Sequence, residues 1–113
     1  MSVKRLDTIT REVSRRIKEL LGDSVRNIIL FGSYARGDYD EESDVDIMVL
    51  ADIAEDEVRA FEYKLDKISS DVSLKSDITV CIILNNKSLF EQRLPLSAFY
   101  RNVMNDGVTI YAD

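Results

Sequence analysis

Two short apolar runs, Val25–Phe31 and Asp44–Leu50, are joined by a polar loop that opens on Gly32-Ser33 and closes on Asp44-Val45-Asp46. No other part of the chain restricts the fold as much. Runs of this length, rich in β-branched residues and bounded by glycine and acids, are too short for helices and read as strands buried on both faces. The loop must therefore return the chain from the end of one strand to the start of the other. Ser33 to Arg36 fits a single helical turn closed by Gly37, and Asp38 to Ser43 is a loop of turn formers and acids.

The flanking sequence supplies the layers that would cover such strands. Leu6, Ile9, Val13, Ile17, Leu20 and Leu21 recur at helical spacing, which predicts an amphipathic helix over 6–21 stopped by Gly22. Its basic residues Arg11, Arg15, Arg16 and Lys18 read as a solvated face. Val58, Phe61, Leu65 and Ile68 mark a second helix from Glu55 to about Ser70, with Glu55, Asp56 and Glu57 at the positive end of its dipole. Asp77–Leu84 is expected to be the third strand. A short helix ending at Pro95 and another stopped at Gly107 follow, and the final VTIY is a short strand or a packed tail. The expected architecture is α/β (α+β): a small mixed β-sheet with helices packed against it, in one domain covering 1–113.

Composition removes several kinds of chemistry. With no histidine among 113 residues, histidine metal sites, imidazole bases and serine-histidine or cysteine-histidine nucleophiles are excluded. The one cysteine, Cys81, sits in the apolar run ITVCIIL and reads as a buried core thiol, which rules out disulfides and multi-cysteine zinc sites. Twenty-one acids against fifteen bases give a net charge of −6, which repels a long phosphate backbone and disfavours direct nucleic-acid binding. No run is long enough to span a membrane and the N-terminus is charged, so a cytoplasmic location is expected.

What remains is carboxylate, hydroxyl and guanidinium chemistry. Alternate residues of a strand point the same way, so Asp44 and Asp46 present two carboxylates on one face, with Cα atoms about 7 Å apart. Two anions at the mouth of an apolar strand require a cation, and oxygen ligands select a hard ion such as Mg²⁺ or Mn²⁺. If the third strand neighbours the second, Asp77 adds a third carboxylate, enough for two ions about 4 Å apart, the arrangement used for in-line displacement at phosphorus. Gly32 allows close backbone approach, and the turn after it aims N–H groups and the Ser33 hydroxyl at an anion. Arg36 is placed to neutralise a phosphate or meet a partner, and equally to be a solvated charge. Asp38, Asp40, Glu41 and Glu42 read as solvated loop residues, with Ser43 capping or orienting the loop before Asp44. A receiver domain and a DxD glycosyltransferase share isolated features, but neither explains Gly32-Ser33.

Gly32-Ser33, ten residues, then Asp44-Val45-Asp46 is the GSx10DxD pattern of the DNA polymerase β-like nucleotidyltransferase superfamily, and GSYARGDYDEESDVDIMV closely resembles its minimal nucleotidyltransferase branch. The resemblance extends over most of the chain, through the Asp77 strand, the SAFYRNV helix and the ending DGVTIYAD. It implies that Asp44 and Asp46 bind two Mg²⁺ ions, with Mn²⁺ as the alternative, and that Asp77 binds one of them and helps deprotonate an acceptor hydroxyl. It further implies that Gly32 and Ser33 hold the β- and γ-phosphates of a nucleoside triphosphate, whose α-phosphorus is attacked with loss of pyrophosphate. Members of this branch resemble the antitoxin half of two-component modules whose partner is an all-helical HEPN toxin. The resemblance thus implies a hetero-oligomer and transfer of AMP from ATP to a tyrosine of the toxin. The alternatives are an antitoxin that acts by docking alone and nucleotidyl transfer to a small molecule such as an aminoglycoside.

Overall fold

A helix packed along a twisted sheet needs one apolar stripe, and the first helix supplies it. In the computed structural model, which describes residues 1–113, α1 spans Val3–Leu21 and buries Ile9, Val13, Ile17 and Leu21. It starts earlier than the apolar stripe requires because Ser2 caps it, accepting from the Arg5 N–H at 3.1 Å. Strand β1 (Val25–Phe31), the single turn α2 (Ser33–Arg36) and strand β2 (Val45–Ala51) follow, then α3 (Glu55–Ser76) and β3 (Val80–Asn86). The chain ends with α4 (Lys87–Arg93), a 3₁₀ turn over Leu94–Leu96, α5 (Ala98–Asp106) and β4 (Val108–Ala112).

The four strands lie in the order β3-β2-β1-β4. β1 pairs antiparallel with both β2 and β4, whereas β2 and β3 are parallel, joined by α3 as the crossover that a parallel pair requires. The final VTIY is thus an edge strand, with Ile28 opposite Tyr111 and Leu30 opposite Val108. Alternation along the strands sorts their side chains to two faces. Ile28, Leu30, Ile47, Val49, Val80 and Leu84 meet α1 and α3 in a core of 17 buried residues. Ile29, Phe31, Met48 and Leu50 face the other way, where Phe90 of α4 and Val103 of α5 cover them. Gly107 sits where α5 turns into β4, and a Cβ there would collide with Val103 O and Ile29 Cγ2. No helix is long and apolar enough to cross a membrane.

Two sequence expectations need correction. Helix α3 runs to Ser76 rather than Ser70, because Val72 extends its buried stripe one further turn and Arg16–Asp71 and Glu12–Lys75 ion pairs, both at 3.0 Å, tie it to α1. Consequently Asp77 does not open a strand. It closes α3 in the left-handed conformation (φ 59°), exposed, and β3 begins only at Val80.

Candidate active site

The pairing of β1 with β2 builds the centre of the site. Phe31 is opposite Asp46, so the chain leaves β1 at Gly32 directly beside the Asp46 side chain. Gly32 has φ 76° and ψ −157°, a region that side-chain-bearing residues avoid, and a Cβ on it would overlap Asp46 Oδ2. The glycine therefore does two things: it makes the turn and it leaves the volume that the carboxylate occupies. α2 starts at once. Ala35 and Arg36 donate to Gly32 O at 3.1 Å, which leaves the amides of Ser33 and Tyr34 ahead of the first intrahelical bond. Gly37, at φ 87°, closes the turn by donating to Ser33 O.

Asp40 is more than a solvated loop acid. Its backbone N–H donates to Ser43 Oγ at 2.9 Å, its Oδ1 accepts from the Glu42 N–H at 2.9 Å, and its carbonyl accepts from the Ser43 N–H at 3.2 Å. This closed loop delivers the chain to Asp44, as Ser43 alone was expected to do. Asp38 pairs with Arg36 at 3.2 Å, while Glu41 and Glu42 are exposed. The Arg36 charge stands close enough to Asp46 to oppose the rise in its pKa.

Asp44 is exposed and Asp46 half-buried. Burial pushes the Asp46 carboxyl above its ordinary range, and the neighbouring Asp44 charge pushes it further. Arg36 offsets this only in part, and carboxylates held side by side in this way are what a cation relieves, so the donor set fits a divalent ion. The third group at the pair is a thiol. Cys81 lies opposite Asp46 in the parallel register, and one ligand atom each from Asp44, Asp46 and Cys81 lie within 4.8 Å of one another. Cys81 is only partly buried, which corrects its reading as a core thiol. Burial and the two aspartates raise its pKa. Asp77, expected as the third carboxylate, is not in this cluster, since it ends α3 before β3 begins.

Beside the pair, a cavity of about 350 Å³ opens between Gly32, Ser33, Arg36 and Asp46 on one side and Phe99, Asn102 and Asp106 of α5 on the other. The α5 residues were missed in the sequence because nothing in SAFYRNVMND marks a site. Their place follows from Phe31, which meets Phe99 edge-on with ring centroids 5.6 Å apart.

A mixed sheet that sets a Gly-Ser turn against two aspartates, Asp44 just before β2 and Asp46 on it, is the arrangement of a nucleotidyl-transferring domain. The chain belongs to the nucleotidyltransferase domain family, whose model matches residues 10–109. Two proteins of Methanocaldococcus jannaschii, both named for an inferred protein adenylyltransferase activity, are similar to it. One is 40% identical over 90% of this chain and 95% of its own length, the other 36% identical over 89% and 93%. A solved structure described as an inferred minimal nucleotidyltransferase shares the fold, with a TM-score of 0.63, covering 96% of this chain and 95% of its own at 18% identity.

Proposed function

We propose that this nucleotidyltransferase is a metal-dependent protein adenylyltransferase that moves AMP from ATP to a tyrosine of a HEPN toxin partner, as the antitoxin of a two-component module. The observation that carries the reading is the Asp44–Asp46 pair held against the Gly32-Ser33 turn. The inferred activity named for the two M. jannaschii relatives supports the acceptor class.

The residues divide the work as follows. Ser33, through its hydroxyl and first-turn amide, holds the terminal phosphates of ATP, and Arg36 offsets their charge. Asp44 and Asp46 hold a divalent cation, which when bound screens the charge on the transferring phosphoryl group. The cavity beneath α5 orients the triphosphate so that the acceptor oxygen reaches the α-phosphorus in line. A bond forms between the tyrosine oxygen and that phosphorus, the bond to the β-phosphate oxygen breaks, pyrophosphate leaves, and the phenol proton is released.

The test is the intact mass of a HEPN protein encoded beside this gene after incubation with ATP and a divalent ion. It is expected to gain one adenylyl group, lost when the partner's target tyrosine becomes phenylalanine. An unmodified partner in the presence of active enzyme overturns the acceptor assignment. One observation favours a second reading, neutralisation by docking alone: a thiol stands where a third carboxylate was expected. Cellular rescue by Asp44→Asn would select docking over transfer.

A further inference from the structure

Cys81 occupies a position that neither core packing nor cross-linking explains. It lies on β3, one of the two edge strands of the sheet, and shares its face with Asn85 and with Ile83, which is 38% exposed. The buried side chains of this strand, Val80 and Leu84, point the opposite way into the larger core. There is no second cysteine for it to join. Its register partner across the parallel pair is Asp46, and its sulfur, one oxygen of Asp46 and one of Asp44 are mutually within 4.8 Å. Side-chain rotation closes separations of this size onto one ion with bonds of about 2.0–2.3 Å.

We propose that Cys81 is the third protein ligand of the cation held by Asp44 and Asp46, so that the site is two carboxylates and a thiolate and favours Mn²⁺, Co²⁺ or Zn²⁺ over Mg²⁺. The inference rests on the nucleotidyltransferase reading for the presence of a cation, and adds the identity of its third donor. Mg²⁺ demands oxygen ligands and gives up its water reluctantly, whereas a sulfur donor selects softer, borderline ions. On coordination the S–H bond breaks, its proton goes to solvent, and the freed electron pair forms the metal–sulfur bond; nothing is oxidised or reduced.

Co²⁺ is the probe, titrated into the full chain and into Cys81→Ser, Cys81→Asp and Asp44→Asn variants, with the near-ultraviolet spectrum and equilibrium dialysis as readouts. The wild type is expected to show a thiolate-to-cobalt charge-transfer band that Cys81→Ser lacks, with affinity weakened by about tenfold or more. Cys81→Asp, which supplies an oxygen donor, should lower the preference for Mn²⁺ over Mg²⁺ by a similar factor. Binding to wild type and Cys81→Ser alike, with no band, overturns the assignment of Cys81 and leaves the cation site standing. Absence of binding, or binding indifferent to Asp44→Asn, overturns both.

Discussion

Replacing Gly32 with alanine perturbs the site at its tightest point. The backbone there, at φ 76° and ψ −157°, costs a residue with a Cβ about 1–3 kcal/mol. The new methyl also falls on Asp46 Oδ2, and moving that carboxylate off its rotamer costs a further ~0.5–1.5 kcal/mol. Alanine recovers ~0.4–1 kcal/mol by restricting the unfolded chain. A net loss of about 0.5–4 kcal/mol follows from these terms taken together. With unfolding entropy near 2.1 cal/mol/K per residue over 113 residues, each kcal/mol lowers Tm by roughly 4 °C. Gly37 is the matched control: it has φ 87° but nothing within 4 Å of a built Cβ. Thermal unfolding by circular dichroism should place Gly32→Ala below Gly37→Ala, and divalent-ion affinity should fall only in the former, because only there is Asp46 displaced. Equal melting temperatures with unchanged ion affinity in both variants would refute the claim that Gly32 makes room for the carboxylate.

Other outcomes follow from the same geometry. In metal-free buffer Asp46→Asn should stabilise the protein at neutral pH. The folded-state carboxyl titrates above the ordinary 3.8, so wild-type stability falls as pH rises from that value through the raised one, and the two proteins should converge below it. Urea melts across pH check this, and added Mn²⁺ should reverse the order. Phe90, 2% exposed and stacked on Tyr100 with centroids 4.5 Å apart, should cost about 3–5 kcal/mol when cut to alanine, measured by urea unfolding. Asp77→Asn should leave both Co²⁺ affinity and transfer rate within about twofold, since this carboxylate stands outside the cluster, while Asp44→Asn should abolish transfer.

The sequence made the elements around the site readable for a physical reason: β1, α2 and β2 are short, punctuated by Gly32 and Gly37, and have little freedom to be anything else. The third ligand was not readable in the same way. Asp77 heads an apolar run just as Asp44 does, and what separates them is the length of the preceding helix. Val72, four residues beyond Ile68, continues the buried stripe of α3 and was the available signal that the helix reaches Ser76. Cys81 could be recognised only through the register of β3 on β2, a tertiary fact that alternation within ITVCIIL does not contain. The pairing of β4 with β1 was undecidable for the same reason, and the α5 residues lining the cavity become visible only when Phe99 meets Phe31.

On the proposed reading, the aspartate pair directs transfer of the nucleotidyl portion of ATP. Parallel incubations with ATP labelled at the α- or the γ-phosphate, in the presence of Mn²⁺ and the proposed HEPN partner, test it directly. Label from the α position should become covalently attached to protein, label from the γ position should leave with pyrophosphate, and neither should be incorporated with Asp44→Asn or Asp46→Asn. Incorporation from the γ position, or α-labelling that survives both substitutions, would contradict it.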